Sequence, residues 1–331
     1  MPKKLAIGCA GFTLIAAIIA VAAVYFYGPI YGPNVVGKPV FLTKPSPTTY
    51  VESVLRVADQ KAIHRNSPDY APARRAALDA AENAQSYEDI YGPLDAALKA
   101  AGGKHSGISS PHQLAESEEK SPAQSPSVNA QNSIVTVTVP ALDGFSSDGP
   151  AYAETLARGL DDELHAGACG VIVDLRGNTG GDMGPMLAGL SPILADGTAM
   201  EFYGGEGNIS QVTVSGGSVT GGGSPTEVTG ISKHNVPVAL LTDNLTASSA
   251  EAVLVSFAGL DNAQSFGTPT AGYASANQAF EMPDGAVVRI TTLQYRDRTG
   301  HVYEEAPITP DVETTEAEKE ARAWLNGQCT S

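Results

Sequence analysis

Two segments of this chain restrict its fold more than any others: Val171-Ile-Val-Asp-Leu-Arg-Gly-Asn-Thr-Gly-Gly181 and Leu241-Thr-Asp-Asn-Leu-Thr-Ala-Ser-Ser-Ala-Glu251. Each reads as a buried strand that runs into a tight polar loop and then a helix. An alternating strand at Ile134–Val139 and an amphipathic helix over Tyr152–His165 lead into the first; the strand Val236–Leu241 and the helix Ala250–Leu260 form the second. Strands that alternate with helices in this way predict an α/β core with parallel pairing. The first loop can present backbone N–H groups, and the second sets a serine at a helix N-terminus. These are two parts of an acyl-transfer site, an oxyanion cradle and a nucleophile. The same serines also read as a plain helix cap, with Glu251 completing a capping box.

The N-terminus is the second strong signal. Lys3-Lys4 precedes an uncharged run from Leu5 to Tyr27, and Tyr25, Phe26, Tyr27 and Tyr31 crowd its far end. That is long enough to cross a bilayer, with aromatics where an interface lies. The lysines predict a single-pass anchor with its N-terminus cytoplasmic and the rest of the chain extracellular. A cleaved leader with a small-residue site near Ala20-Val-Ala-Ala23 is the rival reading, but the apolar run continues past that site.

The rest divides by composition. Residues 1–30 are the expected anchor and 31–47 a Pro/Gly-rich linker. Residues 48–108 form a small helical domain, in which Ala73–Ser86 and Pro93–Ala101 read as helices. A polar stretch over 109–132 reads as a flexible crossing, and 133–325 as the core. Within the core, residues 204–230 read as a surface hairpin or loop. Residues 279–303 read as antiparallel strands with a turn at Pro283-Asp-Gly285, and residues 315–326 as a terminal helix.

Net charge −16 argues against nucleic acid as a partner and suits cationic peptides. Of the three cysteines, Cys169 and Cys329 could pair outside a cell, but idle thiols are the expectation. No Cys/His spacing resembles a zinc site, so neither a metal nor another cofactor is expected.

Asp174-Leu-Arg-Gly-Asn-Thr-Gly-Gly181 and Thr246-Ala-Ser-Ser-Ala-Glu251 resemble the two signature segments of the S41 peptidases, the C-terminal processing or tail-specific proteases. Gly267-Thr-Pro-Thr-Ala-Gly272 and Pro307-Ile-Thr-Pro-Asp311 resemble later parts of the same core. The resemblance implies a crotonase/ClpP-like α/β core preceded by a helical domain. It selects Ser248 over Ser249 as nucleophile, since the family's serine stands three residues before the glutamate. It also implies Gly180, Gly181 or Ser249 as oxyanion donors.

Two departures narrow the branch. Tail-specific members carry a lysine base where this chain has Thr270-Ala-Gly-Tyr273, and no lysine occurs between Lys233 and Lys319. Nor is there room for their PDZ domain between helices and core. The remaining branch is similar to the nisin resistance proteins, anchored and PDZ-less, with a Ser–His pair. Lys104-His105-Ser106 matches the placement of their histidine, which makes His105 the candidate base; the usual preceding acidic residue is replaced by Gly-Lys. Glu251 is a candidate orienting group, and Asp182 and Met183 are candidates to line the substrate cleft, with Met183 equally readable as core. The branch implies a peptide substrate, cationic and lantibiotic-like, cut near its C-terminus. A non-catalytic peptide- or ligand-binding member of the same fold is the alternative. His64, His112, His165, His234 and His301 read as surface residues.

Overall fold

The computed structural model describes residues 3–120, 124–144, 146–204 and 208–329, without the side chains of 3–14 and 118–120. Residues 121–123 of the expected crossing and 205–207 of the expected surface loop lie outside the described residues, as do the side chains of Lys3 and Lys4. The chain forms two compact units: Met1–Lys120 with Asn277–Thr292, and Ser121–Ala276 with Leu293–Ser331.

The first unit opens with a long helix, α1 (Lys3–Val35), which takes in the first residues of the expected linker. Its stretch Ile15–Val35 is long and apolar enough to cross a membrane. Ile15, Ile18, Ile19, Tyr25 and Phe26 are exposed along it. Helix α2 (Pro47–Lys61) starts sharply, because the Ser46 hydroxyl accepts from the Thr49 amide and Pro47 occupies the first turn. Helices α3 (Tyr70–Asn83) and α4 (Glu88–Gly102) follow. Each begins earlier in the chain than the sequence predicts. Tyr50, Val54, Leu55, Ile90, Leu94 and Leu98 form the core of this unit. Fully burying one such leucine contributes about 1.5–3 kcal/mol.

Residues 277–292 join this unit although the sequence assigns them to the other domain. Phe280, Met282, Val288 and Ile290 alternate along the segment and are buried among the helices. Residues Val287 to Arg289 pair antiparallel with a short strand, β1 (Gly107–Ser109). The predicted turn is there, with Gly285 at φ 86°. The Tyr50 and Tyr91 hydroxyls donate to its Asp284 carboxylate at 3.2 and 2.5 Å.

The crossing expected to be structureless contains helix α5 (Pro111–Lys120) and strand β2 (Ser127–Gln131). Strand β2 is a hairpin partner of β3 (Ile134–Thr138), with Gln131 opposite Ile134. Asn132 and Ser133 both take positive φ, 51° and 62°, the geometry of a two-residue hairpin turn. Its polar sequence gives no sign of strand; pairing supplies the hydrogen bonds.

From β3 the second unit follows the predicted alternation: α6 (Gly149–His165), β4 (Gly170–Asp174), α7 (Met183–Gly189), a hairpin layer of β5 (Gly197–Tyr203), β6 (Ile209–Ser215), β7 (Ser218–Thr220) and β8 (Thr226–Glu227), then β9 (Val238–Thr242), α8 (Ser249–Phe257) and β10 (Ala263–Gly267). Strands β11 (Ser275–Glu281), β12 (Val287–Arg296), β13 (Val302–Tyr303) and β14 (Val312–Glu313) precede the terminal helix α9 (Ala317–Cys329). One sheet runs β14-β10-β9-β4-β3-β2, parallel except at β2. Helix α6 lays Tyr152, Leu156, Leu160 and Leu164, an i, i+4 stripe, into the core. Helix α9 buries Ala317, Ala321 and Leu325 against Ile134, Ile172 and Leu241.

Cys169 and Cys329 form a disulfide across a sequence separation of 160 residues, with Cα atoms 5.5 Å apart. This corrects the expectation of idle thiols. The strand approach before β4 and the end of α9 converge in the fold, which neighbouring sequence does not reveal.

Candidate active site

Strands β4 and β9 are adjacent and parallel, with Asp174 opposite Leu241, so the loops that leave their C-terminal ends emerge side by side. Polar side chains then lock the loops together. Asp243 accepts from the amides of Gly177, Leu245 and Thr246 at 3.0–3.1 Å. The Thr246 hydroxyl reaches Leu175 O at 3.0 Å. Asn178, fully buried, donates to Val139 O at 2.7 Å and accepts the Gly180 amide at 2.8 Å, while its carbonyl takes the Ala247 amide at 2.9 Å. One asparagine thus fixes the first loop to β3 and to the residue just before Ser248.

Ser248 stands at φ 54°, ψ −114°, a left-sided backbone that a non-glycine residue rarely adopts. It is the N-cap position of α8, half-buried, at the positive end of that helix. Gly180, at φ 103°, lies against it: a Cβ there would sit 2.8 Å from Ser248 Cβ. Gly181, at φ 114°, is equally forced, since a Cβ would fall 1.7 Å from Leu142 O.

The amides of this loop are not equivalent. Gly180 N–H is taken by Asn178, so of the three expected oxyanion donors it is the one already committed. Gly180 O accepts from Leu142 N at 3.2 Å. Because a trans peptide holds its O and H on opposite sides, Gly181 N–H faces the other way. Among the described residues neither Gly181 N–H nor Ser249 N–H has a hydrogen-bond acceptor. The Ser249 hydroxyl donates to Gly181 O at 2.6 Å, which ties these two residues together.

Glu251 is completely buried, and its carboxylate accepts from Ser248 N (2.8 Å), Thr270 Oγ1 (2.5 Å), Gly272 N (2.9 Å) and Tyr273 N (2.7 Å). Burial raises its pKa, and these four donors oppose the rise. Both oxygens are therefore occupied in holding the Ser248 backbone and the 270–273 loop. The sequence offers Glu251 as an orienting group; the group it orients in this arrangement is the Ser248 main chain. The segment Thr270–Tyr273, which lacks a lysine, serves as the Glu251 clamp.

Asp182 and Met183 differ from the expectation that they line a cleft. Asp182 is buried and caps α7, its carboxylate accepting from Gly184 N at 3.1 Å and Ser224 N at 2.9 Å. Met183 is 4% exposed and packs within the core. Its place in the first turn of a helix whose every residue is buried leaves it no open side.

Sequence reasoning missed Tyr295. This phenol is buried near Ser248, and burial together with the Glu251 carboxylate raises its pKa. Its amide donates to Ala274 O at 3.2 Å, one residue beyond the Glu251 clamp. No local pattern announces such a contact, because a tyrosine in a strand ordinarily reads as packing.

His105 belongs to the first unit. It lies between α4 and β1, half-buried, and its neighbour Ser106 is plugged in place: Ser106 Oγ accepts Thr291 N at 2.9 Å. Asn277, which accepts the Thr291 hydroxyl proton at 2.8 Å, donates to His105 O at 3.4 Å. Burial, then Arg289 and Lys104, lower the His105 pKa from 6.5 to about 4. The imidazole is thus neutral at physiological pH and able to take a proton.

Residues 135–314 match the model of Peptidase family S41. The chain is 33% identical over 290 residues to the nisin-resistance protein of Lactococcus lactis subsp. lactis, covering 87% of this chain and 90% of that one. It is 28% identical over 166 residues to the carboxy-terminal processing protease CtpA of Bacillus subtilis (strain 168), covering 49% of this chain and 33% of that protein. Among solved structures, a lipoprotein from Streptococcus agalactiae superposes with TM-score 0.77 at 30% identity, covering 87% of this chain and 99% of that one. The photosystem II D1 C-terminal processing protease superposes with TM-score 0.54 at 13% identity, covering 82% and 94%, a likeness of fold alone.

Proposed function

This chain belongs to peptidase family S41 and is a serine peptidase related to the nisin-resistance protein; we propose that it is anchored in a membrane by α1 and hydrolyses cationic extracellular peptides with Ser248 as nucleophile and His105 as base. The observation that carries this reading is the geometry of Ser248. A strained serine at a helix N-terminus, beside two amides without acceptors, is arranged for an attacking hydroxyl and a developing oxyanion.

In the proposed reaction the Ser248 oxygen bonds to the peptide carbonyl carbon as its proton passes to His105. The carbonyl oxygen becomes an oxyanion held by Gly181 N–H and Ser249 N–H. His105 then returns the proton to the leaving amine, and water hydrolyses the acyl-enzyme by the same route in reverse. Preorganised amides of this kind typically contribute on the order of 10²–10³ in rate each.

Lys3-Lys4 before the apolar helix supports the extracellular placement, as does the disulfide, which persists in oxidising compartments. The net charge of −16 and the kinship with a nisin-resistance protein support the proposed substrate class: lantibiotic-like peptides, cut near the C-terminus. The test is incubation of the full chain and its Ser248→Ala variant with free-ended cationic peptides, some lanthionine-bearing, with products read by mass spectrometry. Cleavage by the wild type alone is expected. Equal cleavage by both proteins would remove Ser248 from its role.

A further inference from the structure

Asp161, His165 and His234 gather at the other end of the parallel sheet from Ser248. Asp161 and His165 are spaced i, i+4 near the C-terminus of α6, which puts them on one face. His234 arrives from the segment between β8 and β9, four residues ahead of the β9 strand whose far end leads to Ser248. The sequence reads both histidines as isolated surface residues. Instead His234 Nε2 stands 2.7 Å from Asp161 Oδ1, and His165 Nδ1 stands 3.2 Å from the same atom. The two rings meet edge to face with centroids 4.9 Å apart. One donor atom from each of the three residues lies within 4.8 Å of the others.

We propose that this cluster is a binding site for a divalent transition metal, zinc foremost, with two imidazole nitrogens and one carboxylate oxygen as protein ligands and water completing the shell. The donor set suits that ion, which takes nitrogen and oxygen at about 2.0–2.2 Å and prefers four ligands. The site is supported as metal ligands usually are. Asp161 is mostly buried, and its carboxylate is fixed by the Ser232 amide at 3.2 Å. His234 is held by its own amide, which donates to Pro192 O at 2.8 Å. The adjacent cation, Lys233, is engaged elsewhere: its ammonium bonds Ser191 O, Leu194 O and Asp196 at 2.8–2.9 Å. His165 is largely exposed, so the cluster has an open side for an ion to enter and for water to bind.

The ion would fasten the approach to β9 onto α6, a structural clip remote from the hydrolytic chemistry.

The test uses the full chain in detergent, stripped with chelator and then titrated with ZnCl2 by calorimetry, with MgCl2 as the control. One tight equivalent of zinc is expected, with a rise in Tm and no response to magnesium. A His165→Gln/His234→Gln variant should lose that equivalent while keeping the wild-type near-UV circular dichroism. X-ray absorption of the wild-type zinc complex reads the ligands without any variant: an all nitrogen/oxygen shell with two imidazoles is expected. Absence of saturable zinc binding, a complex without two imidazoles, or a double variant that folds and still binds the same equivalent would each overturn the proposal.

Discussion

Two residues of the second unit occupy the same formal position: Asp182 and Ser248 are each the N-cap of the helix that follows a loop from adjacent parallel strands. Asp182 sits at φ −90°, ψ 110°, an ordinary extended cap, and its carboxylate is satisfied by two amides. Ser248 sits at φ 54°, ψ −114°, with its main chain held by the Glu251 carboxylate from inside the helix, in a capping box. The relaxed cap stabilises its helix. The strained one gives up comfortable backbone geometry and is held by Glu251, Asn178 and two glycines. Strain maintained by so many neighbours marks a residue placed for something other than stability.

The comparison breaks most visibly at Glu251. Glu251→Ala leaves four donors without their acceptor, so unfolding in urea should show a loss of about 3 kcal/mol or more. Peptide hydrolysis should fall by on the order of 10²-fold or more, since the loops that bear Ser248 lose their clamp. A variant with full activity would show that Ser248 needs no such support.

Gly180→Ala acts on the same residue from the opposite side. The new methyl would lie 2.8 Å from Ser248 Cβ at a φ that favours glycine, so displacement of Ser248 is expected. We expect kcat to drop by on the order of 10²-fold while the variant remains folded. Loss confined to KM would point instead to a substrate contact.

His105, the proposed base, gives the expected pH dependence. Its folded pKa, about 4, is lower than the 6.5 of a free histidine. It should remain a competent base well into acid, so the acid limb of kcat/KM for the free enzyme is expected near pH 4 rather than 6.5. The stability sign follows: between these two values the unfolded chain binds more proton than the folded one. Stability contributed by neutral His105 is therefore complete above pH 6.5 and lost as pH falls toward 4. His105→Gln should abolish hydrolysis and flatten that part of the stability profile.

Tyr295→Phe removes the phenol hydroxyl near Ser248 and nothing of the ring packing. About a tenfold loss in kcat with unchanged KM is expected, the size of a single buried hydrogen bond. An unaltered kcat would make Tyr295 a packing residue only.

Local grammar carried much of this molecule. The strand-loop-helix pairs, the amphipathic α6 and the Pro283-Asp-Gly285 turn are visible because apolar period and turn residues are properties of neighbours. What stayed hidden depends on distant chain. Residues 277–292 go with the helical unit because their alternate apolar side chains find partners there. Strand β2 exists only through β3, and Cys169 meets Cys329 only because α9 packs on the sheet. At the site, the sequence could offer Gly180, Gly181 and Ser249 as donors but could not tell which amide Asn178 had already taken. Tyr295 was invisible for the same reason.

The smallest effect is the one that decides whether the two caps differ in kind. Asp182→Ala removes the acceptor for Gly184 N and Ser224 N, so a loss of about 1 kcal/mol in stability is expected, typical of a helix cap. Because the helix it caps is short and wholly buried, the neighbouring core should hold it in place. Hydrolysis of a cationic peptide should then stay within about twofold of wild type, well inside 1 kcal/mol of transition-state stabilisation. The reverse result, a severe loss of activity at unchanged stability, would return Asp182 to the substrate-lining role that its position after Gly181 suggests. It would also mean that a buried, doubly bonded carboxylate turns outward when peptide binds, and the contrast between a relaxed cap and a reactive one would dissolve.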